Sequence, residues 1–223
     1  MSDGFPLRRE HLLPENLERA AELFRSVGLE ISSPEERAAS LAATLERVAP
    51  GQDAWVFGYG SLMWNPAFHH VELAAARLAG WHRRFCLWNT FGRGSPERPG
   101  LTLALEAGGS CTGVALRIAA AEVRSELTVL WNREMLTGSY LPRWVRLASP
   151  AGPIDAVTFV ANRAHARYAG RLPVERVAHL LAHAHGPLGD GREYLERTVA
   201  ELERHGARDG SLHALLRAVR SIT

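Results

Sequence analysis

The stretch Trp55 to Pro66, WVFGYGSLMWNP, limits the possible folds of this chain more than any other segment. Trp55, Val56 and Phe57 are aromatic or β-branched and favour a strand. Gly58 and Gly60 close around Tyr59 and permit backbone angles and a ligand approach that a Cβ would obstruct. Consecutive N–H groups in such a turn can form a concavity for an anion or a polarised carbonyl oxygen. A tight strand-end turn with no ligand would use the same residues, because glycine-rich turns are common punctuation.

The rest of the chain reads as a helical preface followed by a strand-rich middle and a helical end. Pro14 to Val27 has helical character and closes at Gly28, while Ser33 to Glu36 spells a second helix start, with Ser33 as N-cap, Pro34 at the first position and Glu36 completing a capping box. Residues 1–50 therefore form a helical extension, and a break at Ala49 to Gln52 separates it from a domain spanning residues 54–223. Strands are expected at Ala54 to Tyr59, Ala74 to Leu78, Arg83 to Trp88, Leu101 to Glu106 and Thr112 to Ile118, joined by glycine-containing turns. A helix from Ala121 to Met135 follows, then strands at Trp144 to Ala148 and Ala156 to Val160. Helices at Val174 to His183, Arg192 to His205 and Ser211 to Val219 complete the pattern. The fold class is α+β: a curved mixed sheet or small β-barrel with packed helices.

Charge and cysteine content exclude several functions. The net charge of +2 over 223 residues is small and interspersed, so neither nucleic acid nor an acidic membrane surface is implied. Cys86 and Cys111 are the only cysteines, too few for a disulfide framework; with no apolar leader, they point to a reducing cytosol. No apolar run approaches the length of a membrane span.

On the helix after residue 120, Val123, Leu127, Leu130 and Trp131 mark an apolar face, and Glu134 falls on the same face. Desolvation there would raise its pKa and suit a general base that accepts and returns a proton near neutral pH. The alternative is a carboxylate at a frayed helix end, paired with Arg133 or Arg143.

Beyond these local readings, the chain resembles the ChaC-type γ-glutamylcyclotransferases, whose hallmark FGYGSL stands intact at Phe57 to Leu62. The likeness continues through Gly80 to Glu106, Gly113 to Ile118, Leu127 to Val145 and Asn162 to Pro173. It implies cyclisation of a γ-glutamyl group: the substrate's α-amine attacks its own γ-carbonyl and expels the rest of the peptide, without metal or cofactor. Glutathione is the implied substrate, with 5-oxoproline and cysteinylglycine as products. Other γ-glutamyl peptides or γ-glutamyl amines are the alternative, and a non-catalytic sensor of such metabolites is a further one. By the same resemblance Glu134 is the catalytic base and then acid. The turn Tyr59, Gly60, Ser61 and Leu62 supplies donors and anchors the glutamyl end. Arg93 matches an arginine of the family's HRG segment, although Gly92 here replaces its histidine, and Tyr140 and Tyr168 are hydrogen-bond donors.

Other chemistry-bearing residues are weaker candidates. Arg83, Arg84 and Arg98 flank the loop that carries Arg93, and solvation is the usual fate of such side chains. Ser61 lacks the second glycine of a nucleophile elbow. His179 and His183, with Glu175 one turn earlier, have zinc-compatible spacing but no H-E-x-x-H pattern, so solvated histidines are expected and no metal is assigned. Cys86 lies in an apolar strand and reads as a buried structural thiol.

Overall fold

The computed structural model describes residues 8–222; the first seven residues of the expected preface and Thr223 lie outside it. Five strands close into a barrel in the order β1-β3-β2-β4-β5: β1 (Ala54–Gly58), β2 (Glu72–Asn89), β3 (Gly100–Ile118), β4 (Tyr140–Ser149) and β5 (Gly152–Ala161). Neighbours are antiparallel except where β5 meets β1 at Val56 and Val157, and meets β3 at Leu105 and Val160.

The expected pairs of short strands on either side of residues 80 and 109 are continuous. β2 and β3 form one long antiparallel hairpin, and the glycines between the anticipated pieces are irregularities within it. Gly80 (φ 79°) stands unpaired opposite Gly108 and Gly109. A second slip leaves Cys86 as the extra residue between the Phe85–Leu103 and Leu87–Thr102 pairs. Such bulges bend and re-phase a strand, which lets 18 residues wrap a small barrel.

Helix α3 (Val123–Glu134), preceded by a short 3-10 turn at Ala120–Glu122, lies against the barrel, where Trp131 meets Phe159 edge-on at 5.3 Å. Its buried Leu127, Leu130 and Trp131 join Val56, Phe57, Leu116 and Ile118 in one continuous core. Burying each such side chain stabilises the fold by roughly 1.5–3 kcal/mol.

The preface packs directly on this unit. Helix α2 (Pro34–Leu45) starts at the expected capping box, with Ser33 Oγ accepting from Glu36 N and Glu36 accepting from Ser33 N. Its Ser40 Oγ accepts from Trp131 Nε1 at 3.2 Å, and Arg9 pairs with Glu126 of α3. Helix α1 (Pro14–Ser26) buries Leu17 and Ala21 with Leu136.

At the other end, helices α4 (Val174–His183), α5 (Gly191–Arg204) and α6 (Gly210–Arg220) pack together, and α5 also reaches β3 and the turn after β1. A two-residue ladder, β6 (His185–Gly186) with β7 (Gly189–Asp190), lies between α4 and α5, where no strand was expected.

Candidate active site

Beyond β1 the chain turns at Tyr59 and Gly60 into a single 3-10 turn, Ser61–Met63. Arg83 fixes this corner from behind. Its guanidinium donates to the Tyr59 carbonyl at 2.6 Å and to that of Thr112, and its Nε lies 3.1 Å from Asp209, the N-cap of α6. Arg83 is therefore spent on architecture rather than available to a ligand.

Glu134 ends α3 facing the same corner. Its side chain is 13% exposed, and its Oε1 lies 2.9 Å from Arg133 Nε. Burial pushes its carboxyl above the usual range against the pull of Arg133. Glu134 is desolvated as the apolar face predicts; of the alternative only the pairing with Arg133 is present, and the carboxylate does not reach solvent from a frayed end. The same guanidinium reaches the Asn65 carbonyl and Ser61 Oγ, the latter at 2.8 Å, so Arg133 ties the Glu134 carboxylate to the turn.

Three phenols surround the carboxylate. Tyr59 donates to the Phe159 carbonyl at 2.7 Å and Tyr140 to that of Leu103 at 2.8 Å. Tyr194 comes from α5, and its hydroxyl oxygen faces the backbone amides of Ser61 and Leu103. Burial raises all three phenol pKa values, and the charge of Glu134 adds to the rise, so each stays protonated. Because Tyr140 already donates to Leu103, its oxygen can meet a ligand only as an acceptor, the reverse of its expected role.

These groups enclose a niche of about 20 Å³ lined by Tyr59, Gly60, Ser61, Leu62, Leu103, Glu134, Tyr140, Phe159 and Tyr194. That is room for a single water- or ammonium-sized group. The niche shares Ser61, Glu134, Tyr140 and Tyr194 with a wider cleft of about 440 Å³.

Two elements wall the cleft. The loop after β2 is shaped by Asn89, whose Oδ1 accepts from Gly92 N at 2.8 Å and Arg93 N at 2.9 Å. It places Arg93 against Glu193, within 6 Å of the Trp64 and Tyr194 rings. Phe24 and Leu29 of the preface adjoin it, with Phe24 4.8 Å from the Phe91 ring of the loop.

The structure brings together Glu134, Tyr59, Gly60, Ser61, Leu62, Arg93 and Tyr140, while Tyr168 stands apart. Its hydroxyl bonds to Glu106, in a cluster with Arg84 and Arg163, and it lines neither cavity. Arg98 is exposed on the far side of its loop. Ser61 has an arginine rather than an imidazole at its hydroxyl.

His179 and His183 lie exposed on α4, and His183 Nδ1 is turned to the His179 carbonyl. Among the described residues, the only three-residue cluster of metal-type ligands is His69, Glu122 and Glu126, whose Glu126 is already held by Arg9. Cys86 and Cys111 are free and buried, which pushes their thiols up to about 12 and about 11.

Tyr194, Arg133 and Asn89 went unassigned from sequence. Asn89 had a local signal, an asparagine between a strand and a glycine-rich loop. Tyr194 had none, because only the packing of α5 against the turn brings it near residues more than 130 positions earlier.

Known proteins are similar to this chain over most of its length. The model of the ChaC-like protein family matches residues 54–222. The glutathione-specific γ-glutamylcyclotransferase of Escherichia coli (strain K12) is 45% identical over 191 residues, which is 85% of this chain and 83% of that protein. The glutathione-specific γ-glutamylcyclotransferase 1 of Homo sapiens is 34% identical over 175 residues, 75% and 79% of the two chains. Among solved structures, the yeast γ-glutamyl cyclotransferase specific to glutathione superposes with a TM-score of 0.70, covering 76% of this chain and 96% of that one; at 21% identity this likeness is one of fold. The chain belongs to the ChaC-like protein family.

Proposed function

We propose that this chain is a glutathione-specific γ-glutamylcyclotransferase that converts glutathione to 5-oxoproline and cysteinylglycine. One observation carries the reading: an ammonium-sized niche joins the buried carboxylate of Glu134 to two phenol oxygens, Tyr59 and Tyr140, whose hydrogens are committed to backbone carbonyls. Such a niche accepts hydrogen bonds, as the α-ammonium of a γ-glutamyl group requires. The 45% identity to the Escherichia coli enzyme supports glutathione as its substrate.

In this mechanism Glu134 takes a proton from the α-ammonium. The freed amine attacks the γ-carbonyl carbon, and negative charge gathers on the carbonyl oxygen. In this reading Tyr194, whose hydroxyl lines the niche beside Gly60 and which burial keeps protonated, is the oxyanion donor. The amide C–N bond then breaks, and Glu134 returns its proton to the leaving nitrogen. Atoms balance with no water consumed. Enclosure contributes as well, because the folded conformer that brings amine and carbonyl together is costly in free solution. The buried, unpaired thiols suit a cytosolic setting.

The test is incubation of purified protein with glutathione, γ-glutamyl-alanine and γ-glutamyl-lysine in separate reactions, with 5-oxoproline measured in each. Release from glutathione alone is the expected result. Release from the other two at equal rates would assign the broader γ-glutamyl specificity, and release from none would make the protein a binder of such metabolites.

A further inference from the structure

Four arginines line the wide cleft, and three of them face a carboxylate: Arg133 meets Glu134, while Arg93 and Arg197 share Glu193. Arg167 is the fourth. Its Nε donates to the Trp88 carbonyl at 2.8 Å and its Nη1 to Thr137 Oγ1 at 3.1 Å, and both partners are neutral. Among the described residues no carboxylate acts on it, and Tyr140 is the ionisable neighbour it has. Burial draws the guanidinium below its usual range, the mark of a cation without a counter-charge. Bonds from Nε and Nη1 hold the guanidinium still and leave Nη2 as the donor for an anion such as a carboxylate.

The position of Arg167 identifies which carboxylate it would bind. Arg167 lines the wide cleft but not the niche, whereas Tyr140 lines both. On the cyclotransferase reading, the reacting ammonium occupies the niche, so the departing part of the substrate lies outward, past Tyr140. We propose that Arg167 is the subsite for the C-terminal carboxylate of the leaving peptide, and that it selects γ-glutamyl peptides with a free terminal acid over γ-glutamyl amines and peptide amides. This inference rests on the proposed function and adds to it the chemical basis of leaving-group choice.

Binding calorimetry tests it without turnover. In a Glu134→Gln background, glutathione should bind about 10- to 100-fold more tightly than its C-terminal amide, the range expected of a charge-assisted hydrogen bond. Adding Arg167→Gln should bring that ratio close to one. Both ligands meet the same cleft, so any loosening from the lost Trp88 and Thr137 bonds cancels in the ratio. A preference that survives Arg167→Gln overturns the subsite, as does an equal loss for both ligands, which would place Arg167 on the glutamyl carboxylate or in the cleft wall alone. If neither ligand binds and the wild type releases no 5-oxoproline, the proposed function falls with it; an unchanged preference alongside normal turnover removes only the subsite.

Discussion

A methyl group at Gly60 would stand 2.9 Å from the Tyr194 hydroxyl, against ordinary contact from 3.4 Å, and 3.7 Å from Leu103. The phenol cannot easily retreat. Tyr194 is 5% exposed, packs edge-on to Trp64 and Phe85 at 6.0 and 5.9 Å, and faces two backbone amides. Gly60→Ala should therefore cost about 1–3 kcal/mol, as overpacking does. In a domain of this size that lowers Tm by roughly 2–12 °C.

If the clash is with that single oxygen, Tyr194→Phe removes it, and the double variant should be more stable than the two single losses predict by at least about 1 kcal/mol. Activity should part company with stability. Without the oxyanion donor the double variant stays about 10²–10³-fold down in kcat despite its recovered fold. The assays are urea unfolding and 5-oxoproline release from glutathione on all four proteins of the cycle. Stability losses that add within about 0.5 kcal/mol would refute the contact argument, and near-wild-type turnover in Tyr194→Phe would refute the oxyanion role.

Further outcomes are expected. Glu134→Gln should lower turnover by about 10²–10⁴-fold with the fold retained. Because the native carboxyl holds its proton to higher pH than the unfolded one, wild-type stability should fall as pH rises from about 4.5 through the raised native pKa, a dependence that Glu134→Gln lacks; parallel stability–pH curves from chemical denaturation would contradict the buried placement. Chelation and the double change Cys86→Ala with Cys111→Ala should leave kcat largely intact, with stability reduced by core truncation. Activity lost on chelation and restored by zinc would redirect attention to His179 and His183.

What could be read from sequence was local. The strand into FGYGSL, the capping box at Ser33 and the carboxylate on the apolar face of α3 each depend on neighbours a few residues away, and each stands where it was expected. The hairpin β2–β3 was cut into four pieces because Gly80, Gly108 and Gly109 carry the same signal in a bulge as in a turn, and only pairing across the sheet distinguishes the two. Tyr140 does line the niche, but the direction of its hydrogen bond depends on the Leu103 carbonyl, 37 residues away, which no local pattern reveals. Arg83 looked like its surface neighbours in the string of residues, yet the closure of the barrel buries it behind Tyr59.

The tie from Arg83 to Asp209, together with the reach of Tyr194 to the turn, bears on the order in which the site is completed during synthesis. A ribosome that has released β1 to β5 has already made Glu134, the glycine turn and both carbonyl-bound phenols. It has not yet made the third phenol or the aspartate that braces the corner from behind. The barrel can begin to collapse at that stage, since its strands are all present, but the pocket lacks one wall until α5 docks. The barrel's strands therefore exist before its pocket is walled, and the docking of α5 and α6 decides when the corner is complete.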